Sequence, residues 1–286
     1  MTAVGIVIHH HRDLATSQAH QLIQWLTDRG HPVRITKLDG ETLGLEAEVV
    51  DDASFAEGLD LVISLGGDGS ILRAVDLIGD RDVPVLGVNI GELGYLAMVE
   101  PGDEQRAVEQ FLAGEHVLVE RMMVQATVRS GTAAPRIHHA LNDVVVERGA
   151  TSTTIRLGVS IDGAYFHTYA ADGLIVATAT GSTAYSLSAR GPIVAPGLRA
   201  LLLTPVSPHQ LFDRSLILKP TSTVTFEVLG HREARLSVDG RTLVMLDKGD
   251  VVECTASPRT VRLVTFGPRN FHQVLKAKFG LLERGE

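Results

Sequence analysis

The chain has 286 residues, enough for about two domains, and its 44% hydrophobic and 21% charged composition is that of an ordinary soluble globular protein with a sizeable core. A net charge of −8 without any long Lys/Arg run excludes a general nucleic-acid-binding surface, so a small anionic ligand has to be met by a local basic or backbone pocket. The single cysteine, Cys254, excludes an internal disulfide and reads as a small buried hydrophobe of a reducing compartment.

The apolar stretch Ala3 to Ile8 has no basic lead and is too short to span a bilayer, so neither a signal peptide nor a membrane segment is expected, and the predicted location is the cytoplasm. Val4-Gly-Ile-Val-Ile8 predicts a first strand. His9-His10-His11 follows it with a spacing that matches no defined metal geometry, and a solvated loop is the expectation there. Leu22, Ile23 and Leu26 mark one face of a helix that stops at Gly30-His-Pro32, and Val33 to Ile35 predicts the next strand.

The run Leu61-Val-Ile-Ser-Leu-Gly-Gly-Asp-Gly-Ser70 carries the strongest signal. A buried strand ends in Gly66, Gly67 and Gly69 around Asp68, and a helical run from Ile71 to Ile78 follows, with Ser70 as its expected N-cap. Glycines allow a ligand close to the backbone, and the N–H groups of a helix start attract anions, so a phosphate fits this turn. A carboxylate beside phosphates points to a bound cation or to general-base work in phosphoryl transfer. The same pattern also describes a plain strand-to-helix turn with an acidic first residue. Val83 to Asn89 adds a strand and Asp103 to Leu112 a helix. Strands alternating with helices predict a parallel α/β sheet, with ligands at the carboxyl ends of the strands, where Asp68 and the segment from Asn89 to Tyr95 lie.

From Val117 the periodicity shortens to strands: Val117 to Val128, Ile155 to Ile161, Thr221 to Leu229, Ala234 to Val238 and Val261 to Phe266. Asp162-Gly163 and Asp239-Gly240 each predict a two-residue hairpin. This half is expected to be an all-β, sandwich-like domain, and the helical pattern from Phe271 to Leu281 is expected to pack back on the first domain. The predicted organisation is an α/β domain with a Rossmann-like parallel sheet over 1–116, a β-rich domain over 117–266 and a returning segment over 267–286. Within the β half, Asp172-Gly-Leu-Ile leads into Thr180-Gly-Ser-Thr-Ala-Tyr-Ser-Leu-Ser188. Short hydroxyls, a glycine and one aromatic suit nucleotide recognition, and they equally suit a Ser/Thr-rich turn that caps a helix.

Four motifs in this order make the chain resemble the NAD kinase family over nearly its whole length: Gly66-Gly-Asp-Gly69, Gly91-Glu-Leu-Gly-Tyr-Leu96, Leu141-Asn-Asp143, and Asp172-Gly-Leu-Ile with Thr180-Gly-Ser-Thr-Ala-Tyr-Ser186. The first alone is shared with lipid kinases and phosphofructokinases; the last singles out this family. The resemblance implies transfer of the ATP γ-phosphoryl group to the 2′-hydroxyl of the adenosine ribose of NAD, with Mg²⁺ or another divalent ion accompanying ATP. It implies Asp68 as proton acceptor, Gly66, Gly67 and Gly69 at the nucleotide, and Arg73 directed at phosphates. It further implies NAD contacts from Asn142, Asp143, Asp172, Thr183, Ala184, Tyr185, Ser186, Leu187, Ser188 and Arg241. A homodimer or homotetramer, with the hydroxyl-rich segment near a subunit contact, is implied as well, as are NAD and ATP, or polyphosphate, as partners.

The chain departs from the family pattern in four places: Asp143 stands where Glu is usual, Ala179 where Pro is usual, and Glu92 and Arg190 place charge where neutral, basic or small residues are commoner. There is no Walker A run and no Gly-x-Gly-x-x-Gly, which leaves a P-loop or standard dinucleotide fingerprint unsupported. The rival readings are a lipid or other small-alcohol kinase, which would share the first motif, and a non-catalytic dinucleotide sensor. Formation of NADP separates them.

Overall fold

A computed structural model describes residues 1–46, 49–91, 93–149, 154–267 and 270–281. The chain divides into two compact units, Met1–Glu120 with Val261–Glu286, and Arg121–Thr260.

The first unit is built on β1 (Val4–Ile8), β2 (Val33–Thr36), β3 (Val49–Val50), β4 (Leu61–Gly66) and β5 (Val85–Asn89), alternating with α1 (Asp13–Asp28), α2 (Lys37–Leu43), α3 (Asp68–Ile78) and α4 (Glu104–Leu112). The strands pair in parallel in the order β3-β2-β1-β4-β5. The order reverses between β1 and β4, and in such sheets that is where a ligand crevice opens beyond the strand ends. Val4, Ile6 and Ile8 alternate onto the face covered by Ala19, Leu22, Ile23 and Leu26 of α1 and by Ala107 and Val108 of α4. On the opposite face Ile71 of α3 fills the space over Gly87 so closely that a side chain there would overlap it. Each such apolar side chain contributes about 1.5–3 kcal/mol on burial.

Two local expectations are corrected. Helix α3 begins at Asp68 with Gly67 as its N-cap, so Ser70 is not the cap but a buried residue of the first turn, pressed against Gly66. A cap without a side chain leaves the first-turn N–H groups open to a ligand. His9-His10-His11 is also not simply a solvated loop, because His10 is bonded to the buried Asp39 at 2.9 Å.

The second unit carries β6 (Val117–Arg129, shared with the first), β7 (Arg136–Ala140), β8 (Asp143–Arg148), β9 (Ile155–Ile161), β10 (Ala164–Ala171) and β11 (Gly173–Thr178). A 3₁₀ turn (Thr180–Thr183) and the short α5 (Tyr185–Ser188) follow. Then come β12 (Leu201–Val206), β13 (Leu216–Leu218), β14 (Val224–Val228), β15 (Ala234–Val238), β16 (Arg241–Leu246) and β17 (Val251–Thr265), the last ending in the first unit. One antiparallel sheet runs β13-β12-β11-β8-β15-β16; β10, β9, β14 and the start of β17 form the other, with β6 paired to β17 and to β7. The two enclose a core that includes Val124, Val144, Leu157, Leu174, Leu203, Phe226 and Leu236, the sandwich expected from the strand pattern. Cys254 lies in it fully buried, and burial pushes its thiol pKa up, so it stays an inert thiol.

Both predicted hairpins form. Asp162 and Gly163, and Asp239 and Gly240, all have positive φ (52°, 79°, 46° and 77°), the geometry of a type I′ turn that matches the twist of its flanking strands. The central strands β8, β11 and β12 are buried on both faces, because Ala179, Val194 and Ala200 cover Val145, Ile175, Ala177 and Leu202 on the side away from the core. The hydroxyl-rich segment therefore lies over an apolar sheet. In the first unit α6 (Phe271–Phe279) is the last element among the described residues, with Asn270 capping its start, and Phe271 and Lys278 reach Tyr95 (6.4 Å between rings; 4.6 Å from Nζ to the ring centre).

Candidate active site

In the first unit the strand ends converge on Asp68. Tyr95 N–H donates to its Oδ2 at 2.8 Å and Leu96 N–H to its Oδ1 at 3.0 Å. The carboxylate is therefore fixed in direction by two backbone donors, with lone pairs left over for a further proton. Gly94 lies so near that a Cβ added to it would fall inside the Asp68 carboxylate, whereas Gly67 and Gly69 face open space. Gly66 needs its hydrogen for packing, and Gly67 and Gly69 leave backbone bare. Arg12 donates to the Ile90 carbonyl and lies across Gly91, at φ 120°, where no side chain fits.

Arg73 does not project alone from α3. Its guanidinium makes a forked pair with Asp39 (Nη1–Oδ1 2.8 Å, Nη2–Oδ2 2.9 Å) and donates to Thr36 Oγ1 at 2.8 Å, with His10 Nε2 3.0 Å from Nη1. Asp39 is fully buried, and this fork supplies the countercharge. Burial, then the charges of Arg12, His11 and His10, lower the His9 pKa, so the imidazole beside Gly66 favours its neutral form. Burial, then the Asp68 charge, raise that of Tyr95.

In the second unit Asn142 and Asp143 stand at the start of β8. Thr178 Oγ1 donates to the Leu141 carbonyl at 2.6 Å, Thr178 N–H to the Asn142 carbonyl at 2.9 Å, and a Cβ at Gly181 would overlap that same carbonyl. Asp143 is 3% exposed and its Oδ2 has no partner. Burial first, then the charges of Asp239 and Glu147, push its pKa up to about 7, against a bond from the Tyr185 N–H. An acid raised from 3.8 to about 7 holds its proton more tightly folded than unfolded, so its contribution to stability is present at low pH and is lost as pH rises through 7. Asp143→Asn cannot ionise and is expected to remove that loss, a relative gain of the order of 2–4 kcal/mol between pH 5 and 8. Parallel denaturation curves across that range for both proteins would refute it.

The hydroxyl-rich segment divides by burial. Ser182 donates to the Ala179 carbonyl at 2.7 Å and accepts from Val194 N–H at 3.0 Å; Ser186 meets Thr204 Oγ1 at 3.0 Å, and both side chains are fully buried. These hydroxyls fold the loop. Tyr185, 38% exposed, and Ser188 stand outward, with Thr183, Ala184 and Leu187 half-buried. Asp172 pairs with Arg148 at 3.2 Å, and Arg241 opens β16, exposed, directly after the Asp239–Gly240 turn. Ala179 has φ −59°, the value proline would impose, so this departure leaves the backbone as the family's residue would have it. Arg190 has φ 66° at the end of α5, a conformation in which an L-residue is strained. Glu92 lies outside the described residues.

Sequence reasoning missed three participants: the Tyr95 and Leu96 amides on Asp68, Asp39 under Arg73, and Asp239 under Asn142 and Asp143. The Gly91-Glu-Leu-Gly-Tyr-Leu96 motif was visible, but nothing in its spacing says that its amides turn toward Asp68.

Comparison with known proteins gives a consistent result. Residues 4–116 match the ATP-NAD kinase N-terminal domain and residues 141–266 the ATP-NAD kinase C-terminal domain. The NAD kinase of Syntrophotalea carbinolica is 40% identical over 286 residues, covering 99% of this chain and 100% of that protein. That of Heliobacterium modesticaldum is 40% identical over 285 residues, covering 97% and 98%. Yeast NADH kinase, solved in complex with NADH, superposes with a TM-score of 0.90 at 25% identity over 100% of this chain and 89% of that one. The NAD kinase of Archaeoglobus fulgidus, solved with ATP, shares the fold, with a TM-score of 0.73 at 21% identity over 99% of this chain and 100% of that one.

Proposed function

The chain belongs to the NAD kinase family, and from that premise we propose how its residues carry the ATP-dependent phosphorylation of NAD to NADP. Asp68 acts as proton acceptor for the ribose 2′-hydroxyl. The observation that carries this reading is the carboxylate held by two backbone N–H groups beside the open glycines of a helix start. A fixed acceptor takes the alcohol proton as the O–P bond forms, while phosphoryl transfer itself depends mainly on positioning and charge neutralisation.

The uncapped start of α3, with Gly67 and Gly69, receives the phosphates. Arg73, its charge matched by the Asp39 fork, contributes as part of a fixed polar floor at the ends of β1 and β2. The donor set suits a divalent ion that arrives with ATP: among the described residues no three His, Cys, Asp or Glu side chains converge, and Mg²⁺ is commonly held by one or two carboxylates together with substrate phosphates. Such an ion, held by the ATP phosphates beside Asp68, would neutralise charge on the transferred group.

NAD is assigned to Asn142, Asp143, Asp172, Arg241 and the outward residues of 183–188, Tyr185 covering the nucleotide. The buried hydroxyls of Ser182 and Ser186 support that surface from beneath. A homodimer or homotetramer is supported by apolar side chains left exposed on and beside β10, with Tyr165 67% and Phe166 39% exposed and Phe166 edge-on to Phe212 at 5.8 Å. Among the described residues no helix is long and apolar enough to cross a membrane. A cytoplasmic location is supported by the single cysteine, Cys254, which is a buried free thiol.

One assay tests the whole reading: purified protein with NAD or NADH as acceptor and ATP or polyphosphate as donor, followed by NADP(H) formation. NAD with ATP is expected to turn over. In the same assay Tyr185→Ala should weaken NAD by about 1–3 kcal/mol through loss of aromatic cover and leave ATP nearly unaffected. No NADP with any pair would return the chain to a dinucleotide sensor, and turnover of a lipid alcohol alone would favour the lipid-kinase reading.

A further inference from the structure

Asp239 heads the tight turn between β15 and β16, and its side chain does more than a turn requires. A type I′ turn asks only for a residue that tolerates positive φ, and Asn or Gly would serve. The Asp239 carboxylate instead accepts three backbone N–H groups from the start of β8: Asn142 at 2.8 Å and Asp143 at 3.1 Å on Oδ1, and Leu141 at 2.8 Å on Oδ2. Its own N–H donates back to the Asp143 carbonyl at 3.0 Å. The clasp is reciprocal and includes both residues assigned to the nucleotide.

It also sets one carboxylate against another. Asp143 is nine-tenths or more buried with Oδ2 unpartnered. The groups that act on it are Asp239 from the turn; Tyr185 of α5, whose N–H bonds it; and Glu147 further along β8, held by Arg235 of β15 at 3.0 Å. Like charges close together and out of water disfavour a second ionised form.

We propose that Asp239 is a positioning residue for the dinucleotide: it clamps the backbone that carries Asn142 and Asp143, and its charge, added to the burial of Asp143, makes that side chain meet the ribose as a hydrogen-bond donor. This rests on the assignment of Asn142 and Asp143 to NAD. A protonated Asp143 offers an O–H from its unpartnered oxygen to a ribose hydroxyl oxygen, which an ionised one cannot do. The burial and charges that raise Asp143 work in the same direction. NAD affinity should then fall as pH rises through about 7, the region where Asp143 loses its proton.

Asp239→Asn tests this, because Asn keeps the positive-φ turn and an acceptor for two of the amides while removing the charge and turning an N–H₂ donor toward Leu141. NAD Kd is measured calorimetrically from pH 5 to 9, with kcat and the ATP KM alongside. Expected are a roughly tenfold higher Kd at pH 7, a pH midpoint lowered by about one unit, and kcat and ATP KM within about threefold. A wild-type Kd and midpoint in this variant overturn the inference. So does a raised Kd with an unmoved midpoint, the result a bare turn residue would give. Asn142→Ala separates the premise: if it binds NAD as wild type does, the assignment of the β8 start falls and this inference with it, whereas weakened binding there beside an unaffected Asp239→Asn overturns Asp239 alone. Should Asp239→Asn fold poorly, amide exchange in the wild-type protein decides: Leu141, Asn142 and Asp143 should exchange as slowly as the centre of β8, and exchange as fast as at Gly240 overturns the clasp.

Discussion

Asp68→Asn is expected to lower kcat by about 10²–10⁴-fold, the span for loss of a general base, while NAD affinity stays within about twofold. The side chain keeps its shape. One amide oxygen still accepts an N–H from the 95–96 segment, but the N–H₂ now opposes the other donor, so a local slackening accompanies the lost proton acceptor. Single-turnover measurement of NADP formation at saturating NAD and ATP isolates the chemical step from binding. Turnover near that of wild type would remove Asp68 from the base role and leave it as a structural anchor for the Gly91–Leu96 loop.

Gly94→Ala should be nearly as damaging although it touches no substrate. The added methyl falls within the volume of the Asp68 carboxylate, so either Asp68 rotates or the loop that supplies its two N–H donors withdraws. Both moves misplace the acceptor, and a displacement of about 1 Å in a positioned group costs on the order of 10²-fold in rate. Gly94 has no positive φ, so the backbone tolerates alanine, but the position is buried, and overall stability should fall by about 1–3 kcal/mol, as overpacking does. Activity close to wild type, with a normal melting temperature, would mean that the 95–96 amides do not set the Asp68 geometry.

The pH behaviour follows from the same logic on the other unit. Asp143 is one methylene shorter than the Glu usual in the family, and the shorter side chain withdraws its carboxyl into the apolar start of β8, where burial and Asp239 act on it together. The departure from Glu at this position is thus coupled to the protonation of the group.

Much of this protein was legible from residue order. Alternation of apolar strands with amphipathic helices up to Leu112, and short alternating strands after Val117, fixed the α/β and β-rich halves, because period 3.6 and period 2 each bury one face only in the matching element. Asp-Gly pairs marked both type I′ hairpins for a reason local to the backbone, and the glycines around Asp68 marked the phosphate turn. What only the tertiary structure decided were partnerships between residues distant along the chain. Arg73 meets Asp39, Asp68 meets the amides of Tyr95 and Leu96, and Asp239 meets those of Leu141 to Asp143, across 34, 27, 28 and 96 to 98 positions. Within the hydroxyl-rich segment, too, composition was silent on direction: burial turned Ser182 and Ser186 inward and left Tyr185 outward. Periodicity records which face of an element avoids water; which polar groups then satisfy one another depends on how strand ends are brought together, and that is a property of the sheet order and not of any short stretch of sequence.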